Sequence, residues 1–177
     1  MEIDYTIAMA KPEHLAVLAD IELAAATMLQ GHAPASVLEE TIPRAKLILA
    51  QQEERLWIAL FKDIPVGFAL VEMLAEDLPH LQEMDVTPDH GRRGLGTALL
   101  DAVLDWVARS GHQQLTLTTF RNVPWNMPFY SRRGFVEIPA HELRPELEAI
   151  VRDEAGRGLD RAHRVVMGNR VKAWRND

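Results

Sequence analysis

The segment Gly91-Arg92-Arg93-Gly94-Leu95-Gly96 constrains this chain more than any other. It lies between a stretch that reads as a strand, His80 to Val86, and one that reads as a helix, about Gly94 to Arg109. Pro88 ends the strand. The helix reading rests on Leu95, Leu99, Val103, Trp106 and Val107, which form one apolar face at helical spacing. A helix start presents unpaired amides and about half a positive charge. Glycines let the backbone close around an anion, and Arg92 and Arg93 add charge. The expected donors are the amides from Arg92 to Thr97, and a diphosphate fits such a nest. A plain turn joining strand to helix is the alternative, but three glycines and two arginines in six residues exceed what a turn needs.

Two familiar phosphate motifs do not match. The Gly-Lys-Ser/Thr ending of a nucleotide phosphate loop is missing. The spacing Gly91-x-x-Gly94-x-Gly96 reverses the dinucleotide fingerprint, and no βαβ unit opens the chain.

The remaining segments supply a sheet and further helices. Ile3, Tyr5 and Ile7 alternate with polar residues as a strand does. Pro12 opens a helical stretch, and Val37 to Gln52 reads as a second helix, broken near Pro43. Leu56–Phe61 and Val66–Met73 form a hairpin across Lys62-Asp63-Ile64-Pro65. On the strand before the Gly-rich turn, strict alternation puts Leu81, Glu83 and Asp85 on one face and Gln82, Met84 and Val86 on the other. Ser110-Gly111 stops the long helix. Then follow a strand at Leu115–Phe120, a short helix or turn within Pro124–Arg132, a strand at Gly134–Ile138, a helix at Arg144–Ala155 and a strand at Ala162–Met167. The expected class is α/β of the α+β type, a mixed sheet with helices packed against it. The length of 177 residues, 47% of them hydrophobic, suits a single domain spanning 1–177.

Composition removes several function classes. A net charge of −7 argues against nucleic acid as a partner, because phosphate backbones need a basic stripe. The sequence has no cysteine, which leaves no disulfide, thiolate metal site or cysteine nucleophile. No paired-histidine spacing suggests zinc, and no Gly-x-Ser-x-Gly elbow is present, so no metal and no serine nucleophile are expected. Met1 to Ala10 lacks a basic start followed by an apolar run, and the longest apolar stretches fall far short of a membrane span. The reading is a cytoplasmic chain with no membrane partner. The basic residues from Arg152 to Arg175, interrupted by Asp153, Glu154 and Asp160, read as a solvated face.

At Val86–Leu100 the chain resembles the acetyl-CoA signature of the GCN5-related N-acetyltransferases, the GNAT family. Asn126–Phe135, with Tyr130 followed by Gly134-Phe135, resembles that family's second landmark. The resemblance covers roughly Ile3 to Ile138. One departure is visible: the first motif position is usually Arg or Gln, and Gly91 stands there, so that Arg92 or Arg93 would compensate.

The resemblance implies a mostly antiparallel central sheet with a splayed strand pair that binds acyl-CoA. It implies acetyl-CoA as donor, a small-molecule amine as acceptor, and direct attack in a ternary complex. A protein or peptide acceptor, and a non-catalytic acyl-CoA-binding module, are the alternatives; a homodimer is one assembly the reading allows. Pantetheine would pair along Met84, Asp85 and Val86. The diphosphate would sit on Gly91, Arg92, Arg93, Gly94, Leu95, Gly96 and Thr97, with Asn126 and Phe129 near the cofactor.

An alkylamine must lose a proton before it attacks. Glu83 is the first candidate base and Asp85 the second, with His80 able to assist. The resemblance puts Tyr130 at the family's acid position, which makes it the candidate donor to the departing sulfur. Trp125 is placed at the acceptor site or in packing, and Glu22, Glu39, Glu40 and Glu83 either build an amine-binding mouth or are ordinary surface carboxylates.

Overall fold

A computed structural model describes residues 5–171. The strands are β1 (Tyr5–Met9), β2 (Leu56–Phe61), β3 (Ile64–Ala75), β4 (Leu78–Val86), β5 (Gln114–Phe120), β6 (Val136–Glu137) and β7 (Arg164–Arg170). The helices are α1 (Leu18–Ala26), α2 (Ala35–Leu38), α3 (Arg44–Gln52), α4 (Leu95–Arg109), α5 (Met127–Arg132) and α6 (Pro145–Gly156). The strands form one sheet in the order β1-β2-β3-β4-β5-β7-β6. Every neighbour pair is antiparallel except β4 with β5.

Strand alternation divides the core between the two sheet faces. Trp57 and Ala59 of β2 join the cluster under α4, where Leu95, Leu99, Leu100, Val103 and Val107 are buried. Leu56 and Ile58 join the opposite cluster, beneath Leu18 and Ile21 of α1 and Leu47 and Ala50 of α3. Further along that second face α6 is seated, with Leu147 against Leu78 and Val166. The β2–β3 connection is a two-residue turn with Lys62 and Asp63 both at positive φ, 48° and 65°. That turn form matches the right-handed twist of the flanking strands.

Most expected elements lie where their periodicity put them. The reading Val37–Gln52 resolves into two helices, α2 and α3, separated around Pro43, which caps α3. Pro79 lies inside β4, opposite Met73, whereas the sequence reading put it ahead of the strand. Ile3, Lys172 and Arg175 lie outside the described residues.

One expectation fails in a way that matters. In the β3–β4 ladder Leu70 faces Glu83 and Val71 faces Leu81, so Gln82 has no partner across the ladder. It is the extra residue of a β-bulge, and a bulge breaks the two-residue period of side-chain direction. Leu81 therefore joins the α4-side core together with Met84 and Val86. Glu83 and Asp85 share the opposite face, but without Leu81.

β4 is held rigidly on its β3 side. At Gly67, paired with Val86, an added Cβ would lie 2.7 Å from the backbone oxygen of Asp85 and 3.0 Å from Val86 Cγ2. Backbone cannot yield as a flexible side chain does. Gly67→Ala is expected to cost about 1–3 kcal/mol through overpacking; a lower urea midpoint with unchanged slope would register it.

Candidate active site

β4 and β5 pair only at His80↔Thr116 and Leu81↔Leu117. Beyond Leu81 the two strands diverge. The edge of β4 from Glu83 to Val86 remains bonded to β3 but has no strand on its other side. A parallel pair that opens in this way leaves backbone donors and acceptors for an extended ligand.

The gap is part of a cavity of about 1900 Å³. At one end lies the Gly-rich turn. Gly94 caps α4 in the left-handed conformation, φ 82°, which suits a residue without a Cβ. Arg92 adopts φ 56°, a left-handed backbone uncommon for a residue with a side chain. The first amide of α4 to close a helical bond is Ala98 N, onto Gly94 O at 2.9 Å. The amides before it are the free donors of a helix start. Gly96 faces Phe129 and Met84: a Cβ there would reach Phe129 Cζ at 3.8 Å and Met84 Cε at 3.9 Å.

Of the residues read from the sequence, Glu83, Tyr130, Met84, Asp85, Val86, Gly91, Arg92, Gly94, Leu95, Gly96, Thr97, Asn126 and Phe129 all line this one cavity. Arg93 does not; its Nη2 turns back to Asp89 O at 3.5 Å. Asn126 ties the start of α5 to β5 by accepting a hydrogen bond from Thr119 Oγ1 at 2.8 Å, and only its amide nitrogen is left for a ligand. Trp125 lines the cavity, with its ring edge-on to His32. Glu39 lies away from it, and Glu40, at the wall, is paired with Arg157.

Electrostatics divide the cavity wall. Glu83 and Asp85 face Glu22 of α1. Burial raises the pKa of Glu83, and repulsion from Glu22 raises it further. Burial also pushes Asp85 well up, with Glu83 and Glu22 adding to it. Burial lifts Glu22 to about 7, against the hydrogen bonds it accepts from Ile42 N at 2.9 and 3.2 Å. Tyr130 is buried between Phe129 and Phe135, and burial together with the nearby Glu83 and Asp85 raises its pKa, so the phenol keeps its proton. These shifts give the site proton acceptors poised near neutrality beside a hydroxyl donor.

The sequence reading missed a buried ion pair in the same wall. Arg164 of β7 donates from Nη2 to Glu154 of α6 at 2.7 Å and from Nε at 3.0 Å, and Thr118 donates to the same carboxylate at 2.6 Å. Against the upward push of burial, the Arg164 bonds hold Glu154 below the usual carboxylate range. Glu154 and Arg164 belong to the stretch read as a solvated face, which is here a correction: Glu154 is 5% exposed. Thr118 stands 36 residues from Glu154, so no local spacing announces the contact. Arg164 also lowers the pKa of Glu83 and Tyr130, setting a positive charge behind the carboxylates.

His80 is buried on the cavity floor. Its Nδ1 lies 2.9 Å from Thr116 Oγ1, which itself donates to Pro79 O at 3.3 Å. The hydroxyl proton is thus spent, and His80 Nδ1 must be the donor. Burial pulls the ring down to about 4, so it is neutral.

A sign follows for Glu22. Its folded-state pKa lies above its ordinary value, so its contribution is fully present at low pH and is lost as pH rises through about 7. Glu22→Gln is expected to match the wild-type Tm near the ordinary carboxylate pKa and to exceed it increasingly toward neutral pH. Thermal unfolding followed by circular dichroism across that range checks it; a constant difference contradicts the shift.

Comparison with known proteins agrees with this geometry. Residues 19–135 match the acetyltransferase (GNAT) family. A curated relative, the mycothiol acetyltransferase of Nocardiopsis dassonvillei, is 32% identical over 133 residues, which are 75% of this chain and 38% of that protein. The matched region thus spans well under half the length of that relative. The fold is shared with the PaiA N-acetyltransferase of Thermoplasma acidophilum, solved in complex with coenzyme A, at TM-score 0.73 and 15% identity over 94% of this chain and 98% of that one. It is shared also with the ribosomal-protein-S18-alanine N-acetyltransferase of Escherichia coli, at TM-score 0.66 and 19% identity over 98% and 97%. A family match of this extent places the chain in the acetyltransferase (GNAT) family.

Proposed function

We propose that this member of the GNAT family moves the acetyl group of acetyl-CoA to a primary amine of a small molecule, by direct attack in a ternary complex. One observation carries the reading: a single cavity joins a free helix start, an unpaired strand edge, two proton-accepting carboxylates and a protonated tyrosine.

The fit to coenzyme A rests on the donor end. The amides from Arg92 to Thr97 and the Arg92 guanidinium are suited to the diphosphate. The open edge of β4 at Met84–Val86 offers hydrogen bonds to the pantetheine amides, and the amide nitrogen of Asn126 offers another. When bound, acetyl-CoA supplies a thioester carbonyl, the electrophile of the reaction.

The residues around that carbonyl divide the proton work. Glu83 takes the proton of the incoming ammonium, and its raised pKa brings it closer to that of the amine. Asp85, whose pKa burial and the neighbouring Glu83 both raise, shares a hydrogen bond with it. The N–C bond forms and the C–S bond breaks; Tyr130 gives its proton to the sulfur and is restored by the second proton the nitrogen sheds, while the first leaves Glu83 for water. The backbone amide near Val86 offers the carbonyl oxygen a donor. No cysteine is present to carry an acyl group.

A small acceptor is favoured over a protein. Arg157 at the end of α6 pairs with Glu40 just beyond α2 at 2.5 Å, and Leu159 packs with Phe120, Leu29 and Val37. These contacts bridge α6 and the α2 region beside the cavity, which supports a small acceptor over a polypeptide.

Glu83→Gln and Tyr130→Phe are each expected to lower kcat by about 10²-fold or more, while the Kd for CoA by calorimetry changes little. Full rates in both variants with a true acceptor would sink the assignment. The acceptor itself is to be found by mass spectrometry of amines, antibiotics, amino acids and peptides incubated with acetyl-CoA. CoA binding without any acetylated product would favour a binding module.

A further inference from the structure

The acceptor half of the cavity is short of free cations. Lys46 of α3 is bonded to Glu72 at 3.2 Å. Arg157 is divided between Glu40 and Asp153, and Arg164 is taken by Glu154. The other cations that line the cavity, Arg92 and Arg132, belong to the Gly-rich turn and to α5. Among the described residues, then, each cation on the acceptor side already has a carboxylate. A substrate carboxylate entering there would meet none that is free.

Unmatched hydrogen-bond acceptors are plentiful by contrast. Among the described residues, Glu22 accepts hydrogen bonds from the Ile42 backbone, and neither Glu83 nor Asp85 forms an ion pair. A second observation, independent of this acidic group, points the same way. His80 is 3% exposed and lines the cavity. Its Nδ1 proton is committed to Thr116, so its Nε2 carries a lone pair, and that nitrogen has no protein partner among the described residues. Gln82 Oε1, at the bulge, is buried without a donor among the described residues. A buried acceptor left unpaired is costly, and it is satisfied by a ligand N–H. The wall therefore suits a molecule rich in N–H donors, carrying positive charge at more than one point, and free of carboxylate.

We infer that the acceptor is a diamine or oligoamine, one amino group reacting at Glu83 while a second, still an ammonium, is held by Glu22. The inference rests on the acetyl-transfer reading and gives it a substrate class. It also explains why three carboxylates crowd one wall: two separated ammonium groups neutralise what the protein leaves unpaired. In the transfer step the N–C bond forms and the C–S bond breaks. The ammonium first loses one proton to Glu83, which passes it to water; the second, shed as the amide forms, replaces the one that Tyr130 gives to the sulfur. The product amide has lost one positive charge, so its hold on this wall weakens and it leaves.

The test is steady-state kinetics by CoA release. The wild-type protein is given acetyl-CoA with diaminoalkanes of graded length, a linear triamine, monoalkylamines of matched length, amino acids and a short peptide. The best diamine is expected to exceed its matched monoamine by about tenfold or more in kcat/KM, a difference of about 1.4 kcal/mol. Glu22→Gln is expected to lower that diamine-to-monoamine ratio about tenfold, mainly through KM. CoA binding by calorimetry confirms that the variant is folded. Equal or better use of monoamines, amino acids or the peptide overturns the inference and leaves the transfer reading standing, as does a ratio that Glu22→Gln does not change. If CoA binds but no acceptor of any class is acetylated, the transfer reading fails and this inference with it.

Discussion

The fourth strand has two neighbours at its start and one at its end, and the rest of the site depends on that asymmetry. At His80 and Leu81 it is clasped between β3 and β5. From Glu83 onward only β3 holds it. An unpaired strand edge is ordinarily a liability, since it invites pairing with any other chain. Here it faces a cavity inside the fold rather than open solvent. The long β3 and the close approach of Gly67 to Asp85 hold β4 in place where it has no strand on its other side.

The bulge at Gln82 adds direction to this rigidity. One extra residue brings Leu81, Met84 and Val86 together under α4 and sends Glu83 and Asp85 to the face covered by α1 and α6. The open edge of β4 and the carboxylates Glu83 and Asp85 are thereby parts of one short segment. A regular strand could bury Leu81 or expose Glu83 to the α1 face, but not both.

Collecting Glu22, Glu83 and Asp85 at one wall works against stability, because burial and mutual repulsion both disfavour their ionised forms. The fold offsets part of this with the buried Arg164–Glu154 pair on the neighbouring elements. Thr118 and the Nε and Nη2 of Arg164 all donate to the Glu154 carboxylate, and such added hydrogen bonds are the condition under which a buried ion pair is tolerated. Unpaired charge gathered at one wall, with compensation beside it, is the pattern expected where a local rule is broken at a binding site.

Much of this protein was legible in its sequence because it depends on short-range pattern. The apolar period of Leu95–Val107 specifies a helix, the glycines before it specify its anion-binding start, and Tyr130 before Gly134-Phe135 marks the second landmark of the family. Pairing Glu83 with Asp85 on one face followed from alternation alone. Tertiary structure decided what alternation cannot carry. The bulge at Gln82 appears only when β3 and β4 are laid side by side, and it removed Leu81 from the carboxylate face. The Arg164–Glu154–Thr118 cluster joins residues with no shared local spacing. The meeting of Glu22 with Glu83 requires α1 to be folded over the sheet. Local sequence sets which side chains share a face; distant packing sets which faces meet, and the acceptor wall is made entirely of such meetings.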